Sequence, residues 1–147
     1  MSAPPKEQRD LFNKETSDTF KTGLKIREEV LGKEHVKRSL ESATEFSAPI
    51  QEFVTELAWG QIWSRPGLTR RERSIANLAM LSALRLPNEV RLHVRGALNN
   101  GLTQEDIREV ILQAAVYCGV PAALESTKVA MEVFAEKAAK GEEPQGK

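Results

Sequence analysis

Both tryptophans of the chain and four of its arginines fall within one stretch, AWGQIWSRPGLTRRERS, residues 58–74. Trp59 and Trp63 stand four residues apart, so on a helix they would share a face. Arg65, Arg70, Arg71 and Arg73 follow at once. Arginine grips a carboxylate through a planar fork of two hydrogen bonds. The stretch is therefore either a packed corner with a solvated basic edge or the wall of a pocket for an anion. Glu56, a carboxylate in a mostly apolar segment, is a partner for an arginine or an acid in its own right. Further on, PNEVRLHVRGALNN carries His93 with Glu89 one turn earlier. Histidine exchanges protons near neutral pH, yet a structural histidine satisfied by Glu89 or a backbone carbonyl fits the same pattern.

The elements that must position these residues all read as helices. Phe20, Leu24, Ile26, Val30 and Leu31 recur near helical period from about residue 15, and Gly32 supplies a stop. A short helix follows through EHVKRSLESA. Ser47 and Pro49 open the next, IQEFVTELAWGQIW, with Ile50, Phe53, Val54, Leu57 and Trp59 expected inward. SRPG breaks it, and Thr69 with Glu72 forms a capping box for RRERSIANLAMLSALRL. That helix is apolar nearly all round from Ile75 to Leu84, which predicts a buried central element. Pro87 starts the His93 helix and Gly101 ends it. Thr103 with Asp106 caps another, whose stripe runs Ile107, Val110, Ile111, Ala114 and Cys118. GVP separates it from a last helix over residues 122–139. No segment alternates long enough to be a strand. The expectation is an all-α, single-domain bundle over residues 15–140, with loose ends at 1–14 and 141–147.

Composition narrows the partners. Lys+Arg and Asp+Glu balance at 21 each, so no global field attracts nucleic acid or an acidic membrane. MSAPPKEQRD has no apolar signal core, and no apolar run is long enough to span a bilayer. A single cysteine, Cys118, cannot form an internal disulfide and reads as a small buried residue; Tyr117 reads as packed. His35 and His93 lack the close partners of a zinc site. These features point to a cytoplasmic protein with no metal, no nucleic-acid partner and no membrane partner.

The combination WGQIWSRPGLTRRERS followed by RLHVRGALNNGLTQEDIREVILQAAVYCGVPAA resembles the carboxymuconolactone decarboxylase family, in particular its γ-carboxymuconolactone decarboxylase branch. The likeness reaches back through GLKIREEVLGKEHVKRSL and so covers about residues 23–130. It implies the alkylhydroperoxidase-D-like helical fold of six or seven helices, assembled as a homo-oligomer, typically a hexamer. The peroxidases of that fold carry a Cys-x-x-Cys pair ahead of the same His-x-x-x-Ala-x-x-x-Gly run. Leu86 and Glu89 hold those positions here, so no second thiol can resolve a sulfenic acid.

The reaction that the resemblance implies removes CO2 from γ-carboxymuconolactone to give 3-oxoadipate enol-lactone, a step of protocatechuate breakdown. The electrons left behind delocalise through the ring double bond onto the lactone carbonyl. The substrate supplies its own electron sink, and no cofactor is required in principle. The protein must hold a dianion, stabilise charge on the lactone oxygen and deliver a proton. The resemblance places His93 at the active-site position, as proton donor or lactone-oxygen stabiliser. Glu89 would orient it or move a proton itself, or else sit as a first-turn carboxylate favoured by the helix dipole. Arg65 and Arg73 are the candidate clamps, Arg71 is held in reserve, and Arg70 reads as solvated. Trp59 and Trp63 would line a dry pocket, with Glu56 beside them.

Overall fold

The computed structural model describes Phe12 and residues 16–142; the expected loose ends lie almost wholly outside these. Every regular element among the described residues is helical. The helices are α1 (Asp18–Leu31), α2 (Lys33–Glu41), α3 (Ala48–Phe53), a π-helical segment (Val54–Ile62), α4 (Arg70–Ala83), α5 (Pro87–Asn99), α6 (Gln104–Cys118) and α7 (Val120–Ala139). They gather into two compact units that divide between Gly67 and Leu68.

In the first unit, the Ser17 hydroxyl caps α1 by accepting from the Phe20 amide at 3.0 Å. Gly32 ends the helix at φ 90°, a conformation that costs any other residue strain. α1 buries Phe20, Ile26, Val30 and Leu31 and packs along the π-helical segment. The approach is close enough to bring backbones together. A Cβ on Gly23 would lie 2.0 Å from the Thr55 carbonyl oxygen, and one on Gly60 would lie 2.4 Å from that of Thr19.

The π-helical segment corrects the expected inward face. Its backbone bonds run to the fifth residue back, as in Trp63 N–H to Ala58 C=O at 2.9 Å, and the wider turn resets which residues align. Ile50, Phe53 and Leu57 are exposed, while Thr55, Trp59 and Trp63 are buried. An α-helical period extended through Val54 misplaces Leu57 but not Trp59, while Ile50 and Phe53 lie in α3, ahead of the π turn, and are exposed there.

The second unit packs four helices around Leu78, Val90, Val94, Ala97, Leu102, Ile107, Ile111 and Val133. Both expected capping boxes form, at Thr69–Glu72 and Thr103–Asp106. Gly101 follows α5 with φ 87°. α4 is not the wholly buried helix expected. Its buried stripe is Ser74, Leu78 and Ser82, with Met80 and Leu84 exposed. Two of those three contacts are small and polar: Ser74 accepts from the Asn100 amide at 2.9 Å, and Ser82 bonds Ser126 at 2.9 Å. Cys118 and Tyr117 are exposed at the end of α6, against expectation.

The glycine contact in the first unit has a measurable consequence. Gly23→Ala and Gly60→Ala each lose roughly 1–3 kcal/mol in urea unfolding, the usual cost of overpacking. Gly67→Ala, whose methyl meets nothing within 4 Å, stays within about 0.5 kcal/mol. Equal losses at all three positions would contradict the close approach.

Candidate active site

Each unit holds part of the expected set. In the second, Pro87 opens α5, and the buried i, i+4 pairs Val90–Val94 and His93–Ala97 lie on the side of the helix turned inward. His93 is buried on that side at 8% exposure, while Glu89 stands exposed in the first turn. The imidazole Nδ1 lies 3.4 Å from the Asn77 side-chain amide nitrogen on α4. Arg73 is half-buried one helical turn before Asn77, so the two share a face. The second unit therefore brings Arg73, Asn77 and His93 to one side of the α4–α5 pair. Among the expected site residues Asn77 is an addition. An asparagine inside the run SIANLAML, where it is a poor helix former, is the signal that would have found it.

Arg71, the reserve candidate for a substrate ligand, is engaged in an ion pair. Its guanidinium pairs with Asp106 at 2.7 Å. The same carboxylate accepts from the Thr103 backbone N–H at 2.8 Å, so Arg71 joins the first turns of α4 and α6. Arg70 is exposed. Arg91 and Arg95, on either side of His93, pair with Glu132 and Glu136 of α7.

In the first unit, the Trp59 and Trp63 rings stack with centroids 4.8 Å apart, and both are buried. The Glu56 carboxylate accepts from the Ser17 hydroxyl, which ties the π-helical segment to the start of α1. Arg65 is exposed in the turn that follows, where Ser64 donates back to the Gly60 carbonyl at 2.5 Å. Arg27 of α1 was not expected. It is 6% exposed, and its guanidinium donates to Thr55 Oγ1 and Gln51 Oε1, each at 2.9 Å. Burial lowers its pKa, and its position braces the segment that carries the tryptophans.

A cavity of about 600 Å³ opens between α6 and α7, lined by Ile107, Ile111, Met131 and Phe134 among others. It contains none of the expected site residues. Among the described residues no group of three His, Cys, Asp or Glu side chains gathers closely enough to hold a metal ion.

Burial pushes the His93 pKa down to about 4, because the charged ring loses hydration that its surroundings do not replace. At neutral pH the ring is therefore a neutral imidazole, with one donor nitrogen and one acceptor. The unfolded chain protonates this ring near 6.5 while the folded chain does not, so the histidine contribution to stability is intact above 6.5. It is lost as pH falls from 6.5 towards 4. Between pH 6.5 and 5 the loss amounts to about 2 kcal/mol. Urea unfolding of the protein and of its His93→Gln variant at both pH values measures it, and the variant should lack this component of the acid slope. Identical slopes would place His93 in water.

The match to the carboxymuconolactone decarboxylase family model runs over residues 48–132, from α3 into α7. Among curated relatives, the chain is 46% identical to nitrosuccinic acid decarboxylase of Metarhizium robertsii, covering 84% of this chain and 86% of the relative. It is 45% identical to 4-carboxymuconolactone decarboxylase of Acinetobacter baylyi, covering 78% and 86% respectively. With a buried histidine and an arginine on facing helices inside the matched region, the chain belongs to the carboxymuconolactone decarboxylase family.

Proposed function

We propose that this protein decarboxylates 4-carboxymuconolactone to 3-oxoadipate enol-lactone, with His93 acting as a neutral hydrogen-bond donor to the lactone oxygen. The protein is a carboxy-lyase by its family and by both decarboxylase relatives. The observation that supports the finer reading is the Arg73–Asn77–His93 face. A cation for a carboxylate sits one turn from the residue that touches a buried, uncharged imidazole.

Loss of CO2 leaves an electron pair that moves onto the lactone carbonyl, and a donor already aimed at that oxygen stabilises the charge without reorganising. A neutral imidazole performs this task without the charge that its buried position disfavours. Arg73 is the proposed clamp for the carboxylate that is retained. The departing carboxylate is held loosely, since a strong ion pair would stabilise the ground state. Arg65 is the proposed clamp of the first unit, and the stacked indoles there are suited to excluding water. Glu89, exposed at the start of α5, is proposed to relay the proton that reaches carbon.

A second substrate follows from the fungal relative. Nitrosuccinic acid is also a dicarboxylate bearing its own electron sink, the nitro group, on the carbon that would lose CO2. A donor for a lactone oxygen is equally a donor for a nitronate oxygen. Both acids therefore ask the same things of His93 and Arg73, and the identity values do not separate them.

Several apolar side chains stand exposed on the second unit, among them Val116 and Tyr117 at 80%, Leu124 at 65% and Met131 at 64%. We assign this surface to contacts between copies of the chain, in the hexamer that the family resemblance implies. Light scattering should give a mass several times that of one chain, and Leu124→Glu should lower it. A monomeric native protein would refute the assignment.

The functional test is CO2 release from each acid in turn. Turnover of either supports the reading, and none above background from both would sink it. His93→Gln should lower kcat roughly a hundredfold, as loss of an oxyanion donor does. Arg73→Met should raise KM about tenfold, the worth of one charge-assisted hydrogen bond.

A further inference from the structure

We infer that Asn77 is a positioning residue that fixes the tautomer of His93, holding the proton on Nε2 by donating to Nδ1. The functional sense of this inference rests on the reading of His93 as a neutral donor; the tautomer itself does not.

A neutral imidazole keeps its proton on one nitrogen, and the partner of the other nitrogen decides which. The Asn77 side-chain nitrogen carries only donors, and it faces Nδ1 at 3.4 Å. A donor at Nδ1 requires a lone pair there, so Nε2 bears the hydrogen. Burial at 8% exposure keeps solvent from scrambling the choice. Were the Asn77 amide turned over, its oxygen would accept from Nδ1–H and the opposite tautomer would result. The two arrangements are chemically distinct and can be told apart.

The placement of Asn77 makes sense on these terms. It lies inside α4 between Ala76 and Leu78, where alanine would favour the helix more. Its backbone already belongs to the helical ladder, so the side chain's polar work is done sideways, towards α5. Arg73 lies one turn before it, so one helix sets both the cation for the substrate carboxylate and the tautomer of the donor. An imidazole with its hydrogen fixed on Nε2 is ready to donate before the reaction begins. A ring that samples both tautomers spends part of its time with a lone pair where a donor is needed.

The chain has only two histidines, so nitrogen-15 labelling with long-range proton correlation reads the tautomer directly, and a His35→Gln variant assigns the signals. The protein should show a protonated Nε2 and a bare Nδ1. Asn77→Asp replaces the donor with an acceptor and should move the proton to Nδ1. It should also lower kcat at least about tenfold while KM changes by less than about threefold, because a general structural lesion would not swap the tautomer. Asn77→Ala removes the donor without adding charge and should give a mixture of tautomers; this variant serves if the aspartate variant does not fold. A protonated Nδ1 in the unaltered protein overturns the inference, as does an unchanged tautomer in both variants. A protein that decarboxylates neither acid, yet whose proton leaves Nε2 in the Asn77 variants, would defeat the functional reading and still support the hold of Asn77 on the ring.

Discussion

Keeping an imidazole out of water without letting it charge is the constraint on which the second unit turns. His93 lies on the inner side of α5 between Val90 and Val94, each at most 2% exposed. A protonated ring would need hydration or a counter-charge there. Among the ring's polar partners is the neutral side-chain amide of Asn77 on α4. That contact requires α4 and α5 to hold their register, which the Asn100–Ser74 bond at the end of α5 helps to secure, while the Ser82–Ser126 bond ties α4 to α7. Small polar residues on the buried stripe of α4 are part of this arrangement. They let the helices approach closely and satisfy one another's hydroxyl groups.

The first unit depends on a comparable buried polar group. Arg27 reaches from α1 to Thr55 and Gln51, and the glycine pair Gly23 and Gly60 lets the two backbones meet. A π-helical turn is seldom stable on intrinsic grounds and often marks a functional segment. Here it stacks Trp59 on Trp63 and turns Leu57 outward. Glu56 is drawn to the Ser17 hydroxyl in the same arrangement. The tryptophan stack is thus a product of the π turn and its bracing by α1.

Some of this was legible before any coordinates. The capping boxes at Thr69 and Thr103, the stops at Gly32 and Gly101, and the helices themselves depend on local chemistry, which a single sequence displays directly. The family motif around His93 singled out the buried histidine. What stayed hidden depends on pairings across helices. Nothing local distinguishes Arg71, which pairs with Asp106, from Arg73, which shares a face with Asn77. The π-helical turn puts Leu57 outside the expected inward face, because periodicity arguments assume an unbroken α-helical repeat. Tyr117, expected to pack, is exposed for a related reason: apolar character says that a surface will be covered, not whether the same chain covers it.

The central claim is that His93 works as an uncharged donor, and the pH dependence of kcat for CO2 release addresses it most directly. A ring that titrates at about 4 is in the same state throughout the neutral range, as are the substrate carboxylates. The account predicts a kcat that stays level from about pH 5.5 to 8. A rise in kcat as pH falls through about 6.5, showing that the protonated imidazole is the active form, would contradict it.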